Sequence, residues 1–151
     1  MPKEFTVWVM VSAPPADVYE AVADPAKLSA YFTTGGAKGR AETGATVTWE
    51  FADFPGRFPV EIDEAIAPTR IAFQWPANEE GADPFRTKVT FLFEPVDDGK
   101  RTKVSVTESG WHDNDAGEKA AYGNCMGWSQ MLMALKAWVE HGINLREGAY
   151  V

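Results

Sequence analysis

The stretch Asp115-Ala-Gly-Glu118-Lys-Ala-Ala121-Tyr122-Gly-Asn124-Cys125-Met126-Gly127-Trp128-Ser129-Gln130-Met131-Leu132-Met133-Ala-Leu135-Lys-Ala137-Trp138-Val139-Glu140-His141-Gly142 decides the fold. It carries a helix with both of its ends. Asp115 and Glu118 have the spacing of an acidic capping box, and Gly142 stands where a helix C-cap is expected. About 26 residues lie between, or roughly 39 Å at a helical rise of about 1.5 Å per residue. Ala121, Cys125, Trp128, Met131, Leu132, Leu135, Trp138 and Val139 share one stripe about 140° wide, which predicts a helix lying against a sheet. A weaker stripe of Tyr122, Met126, Met133 and Ala137, mixed with Ser129, Gln130 and Glu140, is either a partly exposed face or a subunit contact, as in a homodimer.

Upstream, the apolar period changes to two. Thr87–Pro95 and Thr102–Gly110 form the arms of a hairpin joined through Asp97-Asp98-Gly99, a strong turn signal. Before it, Val47, Trp49 and Phe51 alternate with polar residues up to a turn at Asp53-Phe-Pro-Gly56. Phe58, Val60 and Ile62 do the same, as do Ile71, Phe73 and Trp75, and an acidic loop runs from Asn78 to Pro84. Phe5–Ser12 is β-branched and aromatic and predicts a further strand, six in all. Short links between most of them predict antiparallel pairing. Pro14-Pro15 ends the first strand and opens a helix to about Ala23. Asp24-Pro25 restarts the pattern as N-cap and first helical position, with Leu28, Tyr31 and Phe32 facing inward. Residues 33–44, with four glycines, read as a flexible loop; the Lys-Ser/Thr ending of a phosphate loop is missing.

The class predicted is α+β: a curved six-stranded antiparallel sheet around a long C-terminal helix, with two short helices after the first strand. At 151 residues the chain suits one domain over residues 1–151 with one sizeable core. The net charge of −8, from 22 acidic against 14 basic residues, repels phosphate backbones and anionic lipid heads. Neither nucleic acid nor a membrane surface is therefore expected as partner. No apolar run has a spanning length, and the start lacks the features of a secretion signal. Cys125, the single cysteine, excludes an internal disulfide, so the expected home is the reducing cytoplasm.

Several local signatures narrow the match. They are Ala13-Pro-Pro-Ala-Asp-Val-Tyr19 leading into Asp24-Pro-Ala-Lys-Leu28 and the pair Tyr31-Phe32; the hairpin Thr87-Lys-Val-Thr-Phe-Leu-Phe-Glu-Pro95 with Thr102-Lys-Val-Ser-Val-Thr-Glu-Ser-Gly-Trp111; and Gly127-Trp128 with its following leucines. Over about residues 4–142 the chain resembles the activator-of-heat-shock-ATPase-like family of the START and birch-pollen-allergen superfamily, also called SRPBCC. The resemblance implies the helix-grip fold with a cavity between sheet and long helix. It also implies a choice among lipid binding, hormone binding, polyketide cyclisation and co-chaperone work in a stress response, because fold alone does not assign function. Tyr31 stands where the family more often has tryptophan, which would reshape one pocket wall.

No metal site is predicted: His112 and His141 lack the spacing of a helical zinc pair, and Cys125 has no CxxC partner. No cofactor is expected. Phe73, Trp75, Phe91, Phe93 and Trp128 either line a pocket or fill it, with Met131, Leu132 and Leu135 facing them from the helix. Asn124, a polar residue on the helix stripe, is placed to orient a ligand by one hydrogen bond. Glu108 lies an even number of residues from Val104 and Val106, so alternation turns it inward. An inward carboxylate is either a structural or ligand-anchoring group, or an acid–base catalyst with His112 as proton shuttle. The leading reading is a site for a small apolar or aromatic ligand. The alternatives are a cyclase- or hydratase-type enzyme using Glu108 and His112, and a co-chaperone-like domain with a chaperone partner.

Overall fold

The computed structural model describes residues 3–150. In chain order come β1 (Lys3–Val11), α1 (Pro15–Ala23), α2 (Pro25–Ser29), β2 (Gly36–Lys38), β3 (Thr46–Phe51), β4 (Phe54–Ile66), β5 (Arg70–Pro76), β6 (Arg86–Val96), β7 (Arg101–Trp111) and α3 (Asp115–His141). All seven strands form one antiparallel sheet in the order β1-β7-β6-β5-β4-β3-β2. From β2 to β7 it is a meander, and β1 pairs with β7 at the far edge. This is the helix-grip arrangement.

The seventh strand corrects the expected count of six. β2 lies inside the glycine-rich stretch read as a loop, and pairs Gly36, Ala37 and Lys38 with Glu50, Trp49 and Thr48. Three residues are too few to display a period of two, so only the edge of β3 reveals them. The turn before β4 is also tighter than Asp53–Gly56: Phe51 already faces Phe54 across it.

Local chemistry sets most element ends. Asp24 Oδ1 accepts the Ala26 amide at 2.9 Å and caps α2. At α3 the cap lies one residue earlier than the Asp115–Glu118 spacing suggests: Asn114 Oδ1 accepts the Gly117 amide at 2.8 Å. Asp115 and Glu118 instead sit in the first turn, beside the positive end of the helix dipole. Gly142 ends α3 with φ 69°, its N–H reaching the Trp138 carbonyl at 2.8 Å. The hairpin turn places Asp97, Asp98 and Gly99 at φ 51°, 55° and 81°, a region that aspartate and glycine tolerate best.

α3 lies along β1 and β7. Lys136 Nζ ties its last turns to the Met10 carbonyl at 2.8 Å, and the Glu140 carboxylate accepts the Ser12 amide at 3.0 Å. Beneath it Val104, Val106, Phe91, Phe93, Ile71 and Phe73 meet Trp128, Met131, Leu132 and Leu135, closed at one side by Val18, Val22, Leu28 and Tyr31. On the outer side of α3, Tyr122, Met126 and Met133 are exposed.

Candidate ligand cleft

Glu108 is at the centre of the site. As alternation requires, its side chain points inward from β7, and it is fully buried. A carboxyl group taken out of water needs donors in place of its hydration. Four side chains supply them. Oε2 accepts from Trp75 Nε1 at 2.9 Å and from the Thr87 hydroxyl at 2.6 Å, and Oε1 accepts from Trp128 Nε1 at 2.7 Å. Asn124 Nδ2 donates to both oxygens, at 3.0 and 3.1 Å. One group thus ties β5, β6 and β7 to α3.

Three of those four donors also wall a cleft of about 890 Å³ between the β3–β5 side of the sheet and the first half of α3. Trp75, Asn124 and Trp128 form its floor, and Glu108 lies beneath them. Phe32, Phe51 and Phe58 make one wall, and Ala116, Ala120, Gly123 and Gly127 of α3 make the other. The rings meet at angles: Trp75 and Trp128 are 5.2 Å apart, Phe58 and Trp75 5.8 Å, and Phe32 and Trp128 5.7 Å. Pro76, Ala77, Asn78 and Glu80 form the lip, with Lys119 and Met126 opposite.

Other predicted site residues lie elsewhere. Phe73, Phe91, Phe93, Met131, Leu132 and Leu135 pack in the closed core, none of them more than 2% exposed. The long helix and the sheet approach closely there, and large side chains fill the space between them. Tyr31 is also in the core, stacked on Trp138 with its hydroxyl donating to the Ala21 carbonyl at 2.9 Å. Burial raises its pKa well above the ordinary phenol value. His112 lies outside the lining. Its amide and its Nδ1 meet Glu79 Oε1 and Oε2 at 3.0 and 2.5 Å, and its ring rests on Phe85. Burial pushes the Glu79 carboxyl up, but the two bonds from His112 outweigh it and hold it below the ordinary value. This pair pins the lip of the cleft to the start of α3. Among the described residues no three His, Cys, Asp or Glu side chains gather as metal ligands do. No helix among them is long and apolar enough to cross a membrane.

Glu79 had no signal in the sequence, and neither had the segment after α3. There Arg146 makes a bidentate pair with Asp53, at 2.7 and 2.9 Å, with both side chains under 10% exposed. Its guanidinium lies over the Phe51 and Tyr150 rings, 5.3 and 4.3 Å from their centroids, and the Tyr150 hydroxyl meets Gln130 on α3. Arg146 and Tyr150 thereby cover one end of the cleft. Arg146 holds the Asp53 carboxyl below its ordinary value. Because the folded value is the lower one, the stabilisation is complete above about pH 4 and is lost as pH falls below that. Acidification should therefore release the segment: in NMR spectra the Arg146 and Glu147 amide signals should stay put down to about pH 4 and shift only below it. Asp53→Asn should abolish that titration; its persistence in the variant would assign the transition to another group.

The comparisons with known proteins agree with this architecture. Protein SSP2350 from Staphylococcus saprophyticus shares 29% identity and a TM-score of 0.77, over 95% of this chain and 96% of that one. MLL2253 from Mesorhizobium loti, at 21% identity, covers 93% and 99% of the two chains with a TM-score of 0.78. The solution structure of the Aha1 dimer from Colwellia psychrerythraea, at 22% identity, covers 93% and 98% with a TM-score of 0.74. Nothing among curated protein sequences matches the chain. The family model described as Activator of Hsp90 ATPase homolog 1-like protein matches residues 12–140, most of the chain, and the chain belongs to that family.

Proposed function

We propose that the cleft binds a small, mainly apolar molecule carrying aromatic rings. The observation that carries this reading is the cleft of about 890 Å³, floored by two indoles held rigid from below and walled by phenylalanines. Its size lies in the range of about 300–1,000 Å³ typical of small-molecule sites. Rings fixed at an angle offer both faces and edges to a flat ligand, and they lose little freedom on binding. Both Glu108 oxygens are engaged by protein donors and the His112 ring is turned to Glu79, which favours binding over acid–base chemistry by that pair.

Titration with naphthalene-class arenes, read by quenching of the cleft tryptophans, tests the proposal. One-to-one, saturable binding with Kd of about 10–100 μM is expected for a two-ring probe. Phe58→Ala, which removes a wall but none of the groups bonded to Glu108, should weaken it about tenfold. Linear, non-saturating quenching across two- to four-ring arenes would remove the reading.

A further inference from the structure

We propose that Asn124 makes the cleft selective for arenes bearing an O–H or N–H donor at the ring edge. This rests on the aromatic-ligand reading and specifies which arenes the site takes. Asn124 lines the cleft half-buried on α3, and its Nδ2 donates to both oxygens of Glu108. Turning the amide over would set its carbonyl oxygen against both carboxyl oxygens, so its orientation is fixed. Oδ1 is then the outward atom, and among the described residues it has no hydrogen-bond partner. A free asparagine accepts or donates by flipping; this one can only accept.

The surroundings let a ligand reach it. Gly123 and Gly127 of the α3 wall flank Asn124, and a Cβ at either would meet nothing within 4 Å. Of the two cationic groups on the lining, Arg146 already has both of its terminal nitrogens on Asp53, and Lys119 stands at the lip. A donor on the ligand thus finds an unoccupied acceptor beside the aromatic floor, and an acceptor in the same place finds lone pair against lone pair. A site built to hydrogen-bond one ligand group rejects the analogue that lacks it.

The test is a matched pair: β-naphthol and its methyl ether, titrated against the intact protein. Apolar burial alone orders them the other way, because the ether's extra methyl group favours it by about 0.8 kcal/mol, or three- to fourfold. The expected result is the reverse order, with naphthol about tenfold tighter, and a return to ether preference in Asn124→Ala. Ether binding as tight as naphthol or tighter in the unmodified protein overturns the selectivity and leaves the aromatic-cleft reading standing. A naphthol preference that survives in Asn124→Ala places the acceptor elsewhere and also overturns it. Failure of both probes to saturate removes the aromatic reading together with the selectivity. The wild-type comparison stands alone if Asn124→Ala, having lost a donor to Glu108, folds poorly.

Discussion

Glu108→Ala should lower the unfolding free energy by about 4 kcal/mol, making it one of the most damaging single substitutions in the chain. The loss comes from what the carboxyl group leaves behind. Trp75 and Asn124 are only partly buried and can turn to water, but the Thr87 hydroxyl and the Trp128 N–H belong to buried side chains and cannot. An orphaned buried donor costs about 1–3 kcal/mol, so two cost about 4 kcal/mol. At this chain length that corresponds to a fall in Tm of about 10 °C. Glu108→Gln preserves volume but places an amide N–H₂ among four donors, and should be nearly as harmful. The mechanism has its own signature. Glu108→Leu combined with Trp128→Phe removes acceptor and donor together, and should be less destabilised than the two single variants added. Denaturant unfolding measures all five variants, and strict additivity, or a loss under about 1 kcal/mol for Glu108→Ala, would mean that water enters and the donors are never orphaned.

Gly117→Ala should destabilise by about 3 kcal/mol, although replacing glycine by alanine inside a helix ordinarily gains about 0.5–1 kcal/mol. The reason is one contact. A Cβ at Gly117 would stand 1.9 Å from the His112 carbonyl oxygen and 3.0 Å from Glu79 Oε1. The first is backbone just past the end of β7 and cannot swing aside like a side chain. The first turn of α3 would have to lift, taking with it the Asn114 cap and the Glu79–His112 clamp that holds the cleft lip. Gly123→Ala is the control, since its Cβ would meet nothing within 4 Å, and it should show the ordinary small gain. If both variants shift the urea midpoint the same way, the close approach of α3 to β7 at Gly117 is wrong.

These two predictions also mark how far the site could be read before folding. The inward turn of Glu108 followed from its even spacing to Val104 and Val106 along one strand. Its four partners did not, because they lie 16 to 33 positions away in the chain on three different elements. Asn124 was legible as a polar intruder on an apolar stripe, and the structure supplies the lock that makes it an acceptor only. The aromatics could not be sorted from sequence. Trp75 and Phe73 sit on the same strand with the same alternation, yet one floors the cleft and the other is sealed in the core. What separates them is distance from the place where α3 and the sheet diverge.

By itself the sequence determined every element but the three-residue β2, and their inner faces. The Asp24-Pro25 cap, the Asp97-Asp98-Gly99 turn, the Gly142 C-cap and the switch between periods of two and 3.6 are all short-range, written within one or two turns of chain. Only the tertiary structure decided where the cleft opens and what covers it. Arg146 and Asp53 lie 93 positions apart, and Glu79 and His112 lie 33 apart. Charge pairs of this kind are selected by geometry after folding: any carboxylate in the chain could have served Arg146, and burial beside Phe51 and Tyr150 leaves it one.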